Sequence, residues 1–156
     1  MERLEQLEVF HSAKHIALYH AMSDEVQTAS FVRKWAFHKT IYLPVICGDR
    51  IELYPYTAEE ALKPGVFGIL EPVPHALTEK PSPDLIIVPG VAFDRHMNRM
   101  GRGKGYYDRL LIEEELRGAI KVGLCFDFQL VDEVPSTAED IRMDMLVTNK
   151  EVIVPR

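Results

Sequence analysis

The sequence predicts an α/β protein, a single three-layer α/β/α domain over residues 1–156 with a mixed, largely parallel sheet. Three observations carry this expectation. Leu85–Val88 is apolar at four consecutive positions and closes on Pro89-Gly90, the pattern of a strand buried on both faces. IKVGLCFD, residues 120–127, has the same character. Segments of helical period alternate with these strands, and 156 residues suffice for one hydrophobic core.

The elements follow in order. KHIALYHA (residues 14–21) is β-prone and ends at MSDE. Asp24 is placed to cap a helix, with Gln27 reaching back in a capping-box arrangement. The next residues put Val26, Ala29, Val32 or Arg33, and Ala36 on neighbouring turns, which predicts an amphipathic helix over 25–38. TIYLPVI (40–46) and RIELYPY (50–56) flank Gly48-Asp49 and predict a hairpin. Residues 63–83 are rich in proline and glycine and read as an ordered surface loop, longer than packing requires. After the Leu85–Val88 strand, YYDRLLIEEELR (106–117) is helical. DMLVTNKEVIV (144–154) predicts a strand pair turning at Asn149-Lys150.

Charge and composition exclude several classes. A net charge of −6 argues against a general nucleic-acid binder. No apolar run approaches the roughly 20 residues needed to cross a bilayer, and the N-terminus lacks an apolar signal core. Cys47 and Cys125 stand far apart and suggest reduced thiols in a cytoplasmic protein. The six histidines show no metal-ligand spacing, and His20 is the one closest to a predicted pocket.

Ligands in α/β sheets usually sit beyond the carboxyl ends of the strands, and GVAFDRHMNRMGRGKGYYD holds that position after the central strand. In GRGKG, glycines let backbone N–H groups approach an anion, and the following helix adds a favourable dipole. Arg99, Arg102 and Lys104 supply positive charge. The Walker pattern is absent, because Gly105 follows Lys104, and so is the G-x-G-x-x-G fingerprint. Spacing alone therefore leaves a phosphate loop and a solvated turn both open. Tyr106 and Tyr107 point in different directions, as pocket or core residues. Asp108 is either a first-turn helix acid or a ligand of Mg²⁺ beside phosphate. Asp140 and Asp144 are either caps and ion pairs or partners of Asp108. Glu25 is either a helix acid or a substrate hydrogen-bond acceptor.

Taken together, LIIVPGVAFDRHMNRMGRGKGYYDRLL resembles the signature of the 5-formyltetrahydrofolate cyclo-ligase family: a buried strand, PG-x-x-F, an arginine-hydrophobic-glycine step and G-x-G-x-G-Y-Y-D. ALYHAMSDEVQT, KPGVFGILEP and VPSTAEDIRMDMLVT extend the likeness over nearly the whole chain in matching order. The resemblance implies an ATP- and Mg²⁺-dependent closure of 5-formyltetrahydrofolate to 5,10-methenyltetrahydrofolate, with ADP and phosphate released. It implies catalytic roles for Arg102, Lys104 and Tyr106, with ATP held by the stretch Arg99, Met100, Gly101, Arg102, Gly103, Lys104, Gly105, Tyr106 and Tyr107. It implies folate contacts from His20, Glu25 and the segment Arg102–Tyr106, and metal ligation by Asp108 and Asp140. The implied partners are 5-formyltetrahydrofolate and ATP, with no nucleic acid or membrane, and the expected state is a monomer.

Family members generally open with a helix of K-x-x-[LM]-R type whose basic residues also contact ATP. This chain begins at MERLEQLEVF, roughly where the family's second helix ends, so it is expected to lack that basic helix. The rival reading is a catalytically silent folate- or nucleotide-binding paralogue. A sugar-phosphate isomerase or acyl-transferase lacks support, since no convincing acid/base pair or nucleophile is present.

Overall fold

The computed structural model describes all residues except 59, 60, 66, 67, 75, 76, 78, 79, 138, 139 and 156. Two short helices, α1 (Glu2–Glu5) and α2 (Glu8–Ser12), precede strand β1 (His15–Ala17). Helix α3 (Ala29–Trp35) leads to a hairpin of β2 (Thr40–Cys47) and β3 (Arg50–Pro55). A small pair, β4 (Lys63–Pro64) and β5 (Leu70–Glu71), falls within the long loop. Then come β6 (Leu85–Val88), the hairpin β7 (Ala92–Phe93) and β8 (Arg99–Met100), and helix α4 (Tyr106–Leu111). β9 (Ile120–Leu124), β10 (Met145–Val147) and β11 (Val152–Ile153) complete the chain.

The main sheet has seven strands in the order β11-β10-β9-β6-β1-β2-β3. Neighbours from β10 through β2 are parallel, and β11 and β3 add antiparallel edges. The sheet is therefore mixed and largely parallel, as the continuous apolar runs predict. In β6, Leu85 and Ile87 join one core cluster while Ile86 and Val88 join the other. All four are at most 1% exposed, each burial contributing about 1.5–3 kcal/mol. The first cluster takes Leu4, Phe10, Phe31 and Val32 from α1, α2 and α3. The second takes Leu110 and Leu111 from α4. Helices thus cover both faces, giving the three layers. Lys39 ties the α2 turn down by donating to the Phe10 and Ala13 carbonyls at 2.9 and 2.6 Å.

β1 lies between β6 and β2, and this order places the site. The chain leaves β1 through α3 over one face to reach β2, and leaves β6 through α4 over the other face to reach β9. The two connections diverge and open a crevice at the carboxyl ends of β1 and β6.

Two boundaries differ from expectation. Helix α3 starts at Ala29, with Thr28 as its N-cap residue, so Asp24 and Gln27 form no capping box. Other partners, one of them distant in sequence, outcompete the capping box. Asp24 pairs with Arg102, Gln27 Nε2 donates to the Met22 and Glu25 carbonyls, and Thr28 Oγ1 donates to the Tyr19 carbonyl at 2.6 Å. Helix α4 ends at Leu111, and a short 3₁₀ turn at Glu114–Leu116 replaces its expected continuation. Part of the predicted 63–83 loop, including His75, lies outside the described residues.

Candidate active site

The crevice is a cavity of about 520 Å³, within the range of small-molecule sites. The loop after β1 supplies Tyr19, His20, Met22 and Glu25. The glycine-rich stretch and the start of α4 supply Arg99, Gly101–Gly105, Tyr106, Tyr107 and Asp108. The remaining wall is largely apolar: Pro44 and Ile46 of β2, Ile51 of β3, and Ile69 beside β5, with Glu71 among them. The lining thus combines three cations and three acids with an apolar set suited to a flat organic ring.

Arg99 is the rigid cation. Its side chain is 7% exposed, and Nε donates to the Pro89 carbonyl at 2.7 Å. Its guanidinium lies 5.3 Å from the Tyr107 ring centroid and 3.5 Å from Asp108 Oδ1. Burial pulls it below the ordinary arginine range, against the charges of Asp108 and Glu25, and it remains a cation near neutrality. Gly101 folds over this group so closely that a Cβ would meet Arg99 Nη2 at 2.9 Å. Burial raises the Tyr107 hydroxyl, so it stays protonated. Tyr19 is raised in the same way, with Glu25 adding to the effect, and its hydroxyl donates to the Val26 carbonyl at 3.0 Å.

Arg102 and Lys104 are the exposed cations. Arg102 Nη2 lies 2.8 Å from Asp24 Oδ1 and 3.8 Å from Glu25 Oε2. Glu25 is itself fixed, because its Oε1 accepts from the Met22 N–H at 2.8 Å. Lys104 makes no ion pair among the described residues, while its carbonyl accepts from Arg109 at 2.7 Å. Gly103 and Gly105 adopt φ of +93° and +72°, the left-handed region where a side chain is strained.

The hairpin that delivers Arg99 is held by a residue the sequence reading missed. Asp94 is fully buried, and its two oxygens accept four hydrogen bonds of 2.9–3.0 Å, from His96, Val134 and twice from Asn98. Burial alone would raise this carboxyl, but the hydrogen bonds outweigh it and hold it below the usual range. Its only sequence signal was a lone acid directly after the apolar pair Ala92-Phe93. Glu71 was missed as well. Its carboxylate accepts from the Ile46 N–H at 2.9 Å, and the signal was one acid within a glycine- and proline-rich loop.

Of the expected site residues, His20, Glu25, Arg99, Gly101–Gly105, Tyr106, Tyr107 and Asp108 converge on the cavity. Met100 and Asp140 are not among its lining residues. The Met100 carbonyl accepts from the Val91 N–H at 2.7 Å, within the β7–β8 hairpin. Asp140 Oδ2 accepts from the Thr137 N–H at 2.8 Å and closes its own turn. Asp144 Oδ2 likewise accepts from the Lys121 N–H at 2.8 Å and ties β10 to β9. Among the described residues, no three His, Cys, Asp or Glu side chains gather to hold a metal. Of the three acids on the cavity, Glu25 and Glu71 already accept from backbone N–H groups, while Asp108 is 64% exposed and meets only Arg99 at 3.5 Å among the described residues. This fits a hard cation that takes one carboxylate and fills its other positions with phosphate oxygens and water. No helix among the described residues is long and apolar enough to cross a membrane.

Comparison with known proteins bears on the family and the fold. Residues 1–149 match the model of the 5-formyltetrahydrofolate cyclo-ligase family. The 5-formyltetrahydrofolate cyclo-ligase of Haemophilus influenzae is 34% identical over 86% of this chain and 76% of its own length. A probable 5-formyltetrahydrofolate cyclo-ligase of Schizosaccharomyces pombe is also 34% identical, over 90% of this chain and 77% of its own. The NMR structure of Aquifex aeolicus 5,10-methenyltetrahydrofolate synthetase superposes with a TM-score of 0.84 at 39% identity, covering 99% of this chain and 78% of that one. With the family model spanning almost the whole chain and the same fold in a 39% identical relative, this protein belongs to the 5-formyltetrahydrofolate cyclo-ligase family.

Proposed function

We propose that this chain closes 5-formyltetrahydrofolate to 5,10-methenyltetrahydrofolate while converting ATP to ADP and phosphate. The observation that carries the reading is one cavity that gathers two unlike sets of residues. Arg99, Arg102 and Lys104 line it together with Pro44, Ile46, Ile51 and Ile69. The cations suit a polyphosphate, and the apolar residues suit a reduced pterin.

In the proposed course, the formyl oxygen attacks the γ-phosphorus and ADP leaves. The N10 lone pair then attacks the activated formyl carbon, the carbon–oxygen bond breaks, phosphate departs and N10 loses its proton. Arg102 and Lys104 neutralise the phosphoryl oxygens as charge moves onto the leaving group. Arg99, fixed by Pro89 and cushioned by Tyr107, holds its charge in one place, so little reorganisation is needed at the moment of transfer. The backbone of Gly101, Gly103 and Gly105 lets phosphate approach closely, beside Met100 on the same strand end. Glu25 accepts N–H groups of the folate, while His20 and Tyr106 border it. Mg²⁺, when bound by Asp108, supplies further neutralisation of phosphate charge. Asp140 joins that set only by leaving its turn with Thr137. No covalent nucleophile is required, because positioning carries much of the barrier reduction.

The test is continuous absorbance of the methenyl product with 5-formyltetrahydrofolate, ATP and Mg²⁺. Product that depends on ATP supports the reading. Folate binding without product at high enzyme concentration overturns it in favour of a catalytically silent paralogue.

A further inference from the structure

We propose that Asp24 is a built-in competitor for the nucleotide's phosphate tail, holding Arg102 in the substrate-free enzyme and releasing it when ATP binds. The inference rests on Arg102 being a phosphate ligand. Both acids beside Arg102 face the same nitrogen, Asp24 at 2.8 Å and Glu25 at 3.8 Å, but they differ in freedom. Glu25 is 10% exposed and pinned by the Met22 N–H. Asp24 is 65% exposed, and Arg102 is its one side-chain partner among the described residues. Asp24 is therefore the movable anion of the pair. A carboxylate and a phosphate compete for the same guanidinium edge.

The contact also joins two loops 78 positions apart in sequence, and each carries groups for a different reactant. Exchange of Asp24 for phosphate unlatches the loop after β1, on which Glu25 sits. Nucleotide and folate affinities are thereby coupled through one ion pair. Arg99 and Lys104 differ: Arg99 is fixed to Pro89, and Lys104 has no ion pair among the described residues. Asp24 thus tunes affinity at an exposed cation of the cavity.

Calorimetric titration of a non-hydrolysable ATP analogue, with Mg²⁺, into wild type, Asp24→Asn, Asp24→Glu and Arg102→Met tests the proposal. Removing the competing charge in Asp24→Asn is expected to tighten binding about two- to fivefold at low ionic strength, the scale of an exposed ion pair. The gain should shrink as salt rises, and the KM for ATP should fall by the same factor. Asp24→Glu, which keeps the anion, should bind close to wild type. A merely structural Asp24 would not give tighter binding on substitution. Equal or weaker binding in Asp24→Asn, with Arg102→Met clearly weakened, overturns the competitor and leaves the phosphate site standing. Unchanged binding in Arg102→Met overturns the phosphate reading itself.

Discussion

The Arg99 guanidinium lies 3.5 Å from Asp108 Oδ1, so a nearly buried cation meets an exposed acid at the rim of one cavity. The arginine is held from behind by the Pro89 carbonyl and the Tyr107 ring. Lysine would keep the charge but lose the planar fork that serves Pro89, the ring and a phosphate together. Arg99→Lys is expected to lower kcat/KM about a hundredfold, the scale of losing one preorganised charge-stabilising donor. Steady-state formation of the methenyl product measures it.

Gly105 tests the backbone of the glycine loop separately from its charges. Its φ is +72°, and an added Cβ would lie 2.8 Å from Arg109 Nη1. Arg109 in turn donates to the Asp49 and Lys104 carbonyls, tying the loop to the β2–β3 turn. Gly105→Ala therefore carries left-handed strain of roughly 1–2 kcal/mol and disturbs the clamp. Urea denaturation should show that loss of stability, and the KM for ATP should rise.

Asp94 links the fold to the site through acid stability. Its hydrogen bonds depress the carboxyl in the folded state despite burial, so the folded protein releases this proton more readily than the unfolded chain. Its contribution is present above the unfolded value of about 3.9, and is lost as pH falls from there through the lower folded value. Asp94→Asn places an amide where Asn98 and Val134 both donate, which costs roughly 2–3 kcal/mol. Thermal melts should show a lower Tm at pH 7 and a shallower fall of Tm below pH 4 than in wild type.

What the sequence could and could not reveal divides by the range of the interactions. Leu85–Val88 was legible because a strand buried on both faces needs no polar position, and the structure buries all four residues. The glycine loop was legible for a similar reason, since its conformation demands particular residue types locally. Asp24 misled because capping was judged from neighbours, whereas its partner Arg102 is 78 positions away. The apolar wall was invisible for the same cause. Pro44, Ile46, Ile51 and Ile69 look like ordinary strand and loop residues until the fold brings them onto the same cavity as the cations.

Asp108 and Asp140 make the sharpest comparison, because the family resemblance pairs them and only Asp108 lines the cavity. Asp108 is on the cavity with its side chain 64% exposed, and accepting a cation would disturb only its contact with Arg99 and not the fold. The Asp140 carboxylate must first leave the Thr137 N–H and open its turn. Asp108→Asn is therefore expected to raise the Mg²⁺ concentration for half-maximal turnover by ~10-fold or more, since even outer partners of a metal site carry effects of that size. Asp140→Asn should raise it less, with the difference reflecting the cost of opening the turn. An equal or larger shift for Asp140→Asn would mean that the turn opens fully when the reactants bind and that its carboxylate completes the metal site. Magnesium titrations of both variants at saturating ATP and 5-formyltetrahydrofolate decide between the two.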